Sequence, residues 1–420
     1  MQSNYRLKTG CEFYPYDGAK DKEEFIVQTP DKRQFKISAL SKNILQRLDG
    51  TRSLDEVACE LQARSISIST NELRNLLLHQ YGKLNILEGE DPELTEYDRK
   101  RQSAEIKPPF LLHWNLIPEK QVGWLAARLT FLYHFISIAS GLVLIGLTHV
   151  LVYQQHAVLG HISNAGSLVV LVLCLVSILF HEFGHATAVA KYGGTPGHIG
   201  FGLYLLLPSF YADVSMIWRF RRKERMVVDL GGVYFQQLSF VVFALLGHFF
   251  STPEFFVVCY FIDLMAWFNL NPVFRFDGYW FLVDYLALPN LYKHSLKYLG
   301  YQIRRVLGYS VQAVRPQISG YTYWIFLIYA LVCNFFLIAV VWFSYRYLTT
   351  MFFRLPVLLP EIFHSIIIAF QTHDAALFGN RLVALFFAIA FPGTALIGMY
   401  KYASLGVRYF RSKFGAYRLP

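Results

Sequence analysis

"SILFHEFGHATAVA", Ser177 to Ala190, places two histidines, a glutamate and a glycine inside an apolar run in which, from Gly166 to Ala190, Glu182 is the sole charged residue. A carboxylate at membrane depth is costly, and such residues mark function. On a helix, residues four apart share a face, so His181 and His185 present their imidazoles to one cation. Zinc takes neutral imidazole nitrogen and, in catalytic sites, keeps one position open for water. Glu182 lies beside the first of these ligands, where it can take a proton from that water and pass it to a leaving amine. H-E-x-x-H also arises by chance, usually on solvated helices, but solvation is not available in this run. The expectation is a zinc site on His181 and His185 with Glu182 as acid/base.

The rest of the chain supplies the membrane context. Its 420 residues are 54% hydrophobic and 16% charged, against roughly a quarter charged in soluble domains. Several apolar runs reach about 20 residues, the length that crosses a bilayer. Six spans are expected at 129–153, 166–190, 230–250, 255–271, 320–345 and 382–400. A further piece, Leu355 to Phe370, contains Pro356, Pro360, Glu361 and His364 and reads as interfacial. Basic residues cluster before the first span and after the second, fourth and sixth, while the loop Gln154–Ala165 has no Lys or Arg. The positive-inside rule then puts both termini in the cytoplasm. Topology explains the net charge of +10, so nucleic-acid binding is not needed. The five cysteines show no paired spacing, so neither a disulfide framework nor a Cys-based zinc cluster is expected. No N-terminal signal peptide is expected, because the first hundred residues are polar and mixed in charge.

Entering from outside near Gly166, the helix would carry His181 roughly 23 Å in, at 1.5 Å per residue. A third ligand is required at that depth. Asp277 in "NLNPVFRFDGYW" (Asn269 to Trp280) is the best candidate, at the cytoplasmic end of the fourth span, where Asn271-Pro272 breaks the helix. Its plain alternative is a helix cap. Asp263 is the rival ligand, but it would sit in mid-membrane, where a helix–helix hydrogen bond is expected. His134, His248 and His364 read as packing residues, and His198 as a lesser candidate for the site.

These residues resemble the site-2 proteases, intramembrane zinc metalloproteases with H-E-x-G-H in one span and N-P-x-P-x-x-D-G in a later one. "HEFGH" matches the first signature, and "NPVFRFDG" keeps all of the second except that Phe274 replaces its second proline. The resemblance, over residues 166–284, implies zinc on His181, His185 and Asp277, Glu182 as acid/base, and Asn271 with Pro272 holding substrate backbone. It also implies a Gly-containing motif in the intervening span, which "DLGGVYFQQ" (Asp229 to Gln237) fits loosely. It further implies a substrate-pairing β-hairpin, for which Gly197 to Ser215 is the candidate, an ordinary loop being the alternative.

The first 90 residues form a separate reading. "EEFIVQTPDKRQFKIS" (Glu23 to Ser38) is patterned as a hairpin, followed by three short amphipathic helices, the second opened by a Ser53–Glu56 capping box. This suggests a small α+β winged-helix domain. "LSKNILQRLDGTRSLDEVACEL" resembles the peptide-carrier domain of pyrroloquinoline quinone biosynthesis, the RiPP recognition element, over residues 23–88. That resemblance implies binding of a precursor's leader as an added strand, with Phe35 and Ile37 in the contact strand.

The expected fold is thus an α-helical integral membrane protein of about six transmembrane helices with a small N-terminal winged-helix domain. Residues 1–90 would be the peptide-recognition domain, 91–128 a charged linker and pre-membrane segment, and 129–290 the metalloprotease core. Residues 291–420 would add a cytoplasmic helix and further spans. The expected function is zinc-dependent cleavage of a modified precursor peptide in a bacterial inner membrane, with that peptide and membrane lipid as partners. Cleavage of an anti-sigma factor and a non-proteolytic immunity role are the alternatives, the first weakened by short outside loops, the second by the intact Glu182.

Overall fold

The computed structural model describes residues 5–18, 23–30, 33–63, 66–84, 86–89, 112–154, 163–204, 207–308, 318 and 320–414. The charged linker and the loop after the first span fall largely outside them. The chain divides into two compact units.

The first unit comprises residues 1–108 with the short segments 192–195 and 214–226. It contains β1 (Tyr5–Leu7), β2 (Glu12–Tyr16), β3 (Glu24–Gln28), β4 (Gln34–Ser38), α1 (Ala39–Leu45), α2 (Leu54–Ala63), α3 (Thr70–Leu76) and β5 (Leu87–Gly89). Strands β2, β3 and β4 form an antiparallel sheet in that order, and β1 pairs with β5. Alternation along the strands divides the sheet into two faces. Phe13, Val27 and Phe35 stand opposite one another, as do Pro15, Phe25 and Ile37. From this face Phe13, Phe25, Val27, Phe35 and Ile37 pack on a core that includes Leu45, Leu61, Leu73 and Leu77. The helices start where side chains satisfy their free N–H groups. Ser38 caps α1, Ser69 and Glu72 form a capping box on α3, and Ser53 with Glu56 bond reciprocally at α2.

The sheet's other face is covered too. Ile26, between Tyr14 and Lys36, is 3% exposed. Residues 214–226 supply the cover, with the Arg219 guanidinium 5.4 Å from the Tyr14 ring. Arg225, 1% exposed, donates to the carbonyls of Phe220 and Asp17 and lies 5.0 Å from the Tyr16 ring.

The second unit comprises residues 109–191, 196–213 and 227–420. Its elements are β6 (His113–Ile117), α4 (Glu119–Leu129), α5 (Phe135–Gln154), α6 (Asn164–Lys191), β7 (Ile199–Tyr204), β8 (Leu207–Ala212), α7 (Arg222–Phe250, its first turn in the other unit), α8 (Pro253–Leu270), α9 (Asp277–Leu286), α10 (Leu291–Val306), α11 (Tyr321–Gln371) and α12 (Ala375–Phe414). Strands β6, β7 and β8 form an antiparallel sheet in that order. Gly197–Ser215 therefore contains a hairpin, with β6 added on its β7 side.

Among the described residues six helices are long and apolar enough to cross a membrane. Four correspond to the first four expected spans, and Ala375–Ile397 to the last. The remaining one is Phe353–Gln371, the piece expected to be interfacial. The expected span at 320–345 is instead a shorter apolar stretch, Tyr321–Phe336, of the same 51-residue helix α11. Pro356 and Pro360 lie inside that helix without ending it, as prolines do where neighbouring helices re-satisfy the freed carbonyls. Both apolar stretches thus lie on one continuous helix.

Candidate metal centre

The site is assembled where α6 and α7 come unusually close. A Cβ on Gly184 would lie 2.1 Å from the Gly231 carbonyl oxygen, so only glycine allows these backbones to meet. Tyr133, just ahead of α5, donates its hydroxyl to the Gly184 carbonyl at 2.8 Å. His181, Glu182 and His185, in the middle of this contact, are all buried.

Asp277 arrives from the other side. Helix α8 ends at Asn271-Pro272, and the Asn271 side-chain oxygen accepts the Val273 N–H at 2.9 Å, closing a tight turn. Asp277 then opens α9. The next residue must be glycine, because a Cβ on Gly278 would lie 2.1 Å from the Leu270 carbonyl oxygen.

His181 Nε2 lies 3.0 Å from Asp277 Oδ2, and His185 Nε2 lies 3.5 Å from Oδ1. The two Nε2 atoms are 3.1 Å apart. His185 Nδ1 donates to the Val228 carbonyl at 2.7 Å, so in the neutral ring its Nε2 carries a bare lone pair. Asp277 Oδ2, buried, accepts no well-directed hydrogen bond despite its nearness to His181. Three electron-rich atoms thus converge within 4.8 Å of one another, an arrangement that repels itself unless a cation joins it. Tetrahedral zinc, with bonds of about 2.0–2.1 Å, keeps its ligand atoms roughly 3.3 Å apart, close to the spacing found. A Cβ on Gly232 would lie 2.4 Å from His185 Nε2 and 2.5 Å from His181 Nε2. The glycine leaves that space to the metal-facing atoms, and the donor set fits zinc.

Glu182 borders strand β8. The paired residues His198 and Asp213 are joined by a main-chain hydrogen bond, and ladder alternation then directs the main-chain groups of Phe210 and Ala212 away from β7. Ala212 packs against the cluster that holds Ile199 and Ala186, the latter one helix turn from Glu182.

The remaining candidates fall elsewhere. Asp263 binds His149 Nε2 at 3.0 Å, the Tyr153 hydroxyl at 2.9 Å and Gln237 Nε2 at 3.1 Å, which makes it the helix–helix link expected of it. His198 stacks edge-on against Tyr211, outside the His181–His185–Asp277 group. His134, His248 and His364 are exposed rather than packed; the first two stand at helix ends, where an imidazole reaches the interface. Phe35 and Ile37 need correction as contact residues. Thr29 N–H to Arg33 C=O and Ala39 N–H to Glu23 C=O set the alternation of the β3–β4 ladder, which turns the main-chain groups of both toward β3 and leaves those of Gln34, Lys36 and Ser38 on the open edge. Their side chains face the core. Sequence reasoning missed Val228, Tyr133 and His149, while Gly232 lies in the Gly-containing stretch Asp229–Gln237 that it had singled out.

No family model matches the chain, and no solved structure does. Over 161 residues it is 24% identical to a protein of Bacillus subtilis (strain 168) named "Putative peptide zinc metalloprotease protein YydH". The match covers 38% of this chain and 64% of that protein.

Proposed function

We propose that this chain is an intramembrane zinc endopeptidase of site-2 type, set in a bacterial inner membrane with both termini in the cytoplasm. Its substrate is a ribosomally made precursor peptide, recruited by the N-terminal unit acting as a winged-helix RiPP recognition element. The observation that carries the reading is the buried convergence of two imidazole Nε2 atoms and a carboxylate around Gly232, with Glu182 buried beside them. The name of the Bacillus relative supports the same chemistry.

His181, His185 and Asp277 would hold the zinc, which when bound supplies Lewis acidity to acidify a water and polarise the scissile carbonyl. Glu182 accepts the proton of the attacking water on its carboxylate and delivers it to the leaving amine nitrogen. A peptide must leave its helix before cleavage, because helical peptide bonds are shielded. The outward main-chain groups at Phe210 offer it an extended partner beside Glu182. On the other unit, the open edge of β4 offers a leader the same kind of pairing.

Glu182→Gln tests the chemistry. The amide keeps size and polarity but cannot take the proton, so zinc content and fold should persist while hydrolysis of the precursor falls by on the order of 10²-fold or more. Near-wild-type hydrolysis by this variant would remove Glu182 from the mechanism and the peptidase reading with it.

A further inference from the structure

Helix α10 carries three parallel stripes. Leu291, Ser295, Tyr298 and Gln302, at i, i+4, i+7 and i+11, form the inner one. Leu291 and Ser295 are fully buried. The Ser295 hydroxyl accepts from Asn334 on α11 at 2.9 Å, and Tyr298 meets Phe326 and the Tyr323 hydroxyl. The outward face is unlike either a soluble helix or a buried one. Lys293, Lys297 and Arg304 line one stripe, and Leu296, Ile303 and Leu307 line the next at 42%, 50% and 67% exposure. Among the described residues no ion pair engages Lys293 or Lys297.

From Tyr285 to Pro360 there is no Asp or Glu, while Lys293, Lys297, Arg304, Arg305, Arg315, Arg346 and Arg354 are all basic. Beside α10, the first turn of α11 exposes Tyr321 at 69% and Trp324 at 63%, the residue types that gather at headgroup depth. Exposed apolar side chains next to two lysines that no ion pair engages fit a surface that is apolar below and anionic above. An acidic soluble partner would answer the lysines but not leucine and isoleucine beside interfacial aromatics.

We propose that the outward face of α10 is a binding surface for anionic phospholipid, Lys293 and Lys297 on the headgroup phosphates and Leu296, Ile303 and Leu307 among the upper acyl chains. The inference is independent of the peptidase reading.

The full chain is purified from mixed micelles holding equal phosphatidylglycerol and phosphatidylcholine, and the retained lipid is measured by mass spectrometry. Wild type should retain phosphatidylglycerol on the order of tenfold over phosphatidylcholine. Lys293→Gln with Lys297→Gln should abolish the preference, at roughly fivefold per charge near the surface, while Lys293→Arg with Lys297→Arg keeps it. Should the double variant not fold, as judged by circular dichroism and elution, Lys297→Glu alone should lower the preference at least fivefold. Equal retention of the two lipids by wild type, or an undiminished preference in folded charge variants, overturns the proposal. Charge-dependent binding of a polyglutamate peptide without lipid preference also overturns it and assigns the face to an acidic protein.

Discussion

Gly232 shows most directly how single residues shape the centre. Its missing side chain is the space into which the two Nε2 atoms point. Gly232→Ala should therefore displace an imidazole by overpacking, at about 1–3 kcal/mol. The expected outcome is zinc affinity weakened at least tenfold, measured by competition with a chelator, with the helices still folded by circular dichroism; unchanged affinity would mean the metal lies elsewhere. His181, Glu182 and His185 could be read from sequence because four-residue spacing on one helix is a local property. Asp277 was legible from a helix break at matching depth. Val228 and Tyr133 were not, since a carbonyl acceptor and a hydroxyl donor reach the site only through the fold, and nothing in their own sequence neighbourhoods announces them.

At the scale of elements, strands were read better in kind than in direction. The hairpin of β3 and β4 was visible in its alternation and Pro-Asp turn. Which amides face outward depends on the ladder's phase, and that is set by pairings such as Thr29 with Arg33. Proline at Phe35 would therefore cut the β3–β4 ladder, whereas Lys36→Pro removes a donor from the open edge. If a leader adds there, Lys36→Pro should raise KM for the full precursor about five- to tenfold, the loss of roughly one main-chain hydrogen bond, with kcat within twofold. Lys36→Ala, which removes the contacts with Glu24 and Tyr16 but keeps the N–H, should behave like wild type. Equal KM for the proline variant and wild type would free the N-terminal unit from that role. Helix α11 was misread for a related reason: proline in an apolar stretch breaks a helix in water, but among other membrane helices its consequences are absorbed.

Across the whole molecule, composition and charge pointed to a membrane, and apolar length picked out five of the six candidate spans. The partition into units was less legible. Arg219 and Arg225, counted by charge as positive-inside markers, instead belong to the segment that covers the sheet of the N-terminal unit. Removing residues 1–90 would uncover Arg225, so a single edge substitution separates recognition from catalysis more cleanly than truncation. Zinc bound per chain, measured by elemental analysis of detergent-purified protein, decides the central assignment. Wild type should hold about one zinc, and Asp263→Asn should hold the same, because Asp263 answers His149, Tyr153 and Gln237 rather than the metal. Asp277→Ala should lose most of it, as a centre left with two imidazole ligands does. A full zinc equivalent in Asp277→Ala, or none in zinc-supplied wild type, would show that His181, His185 and Asp277 are not a metal centre.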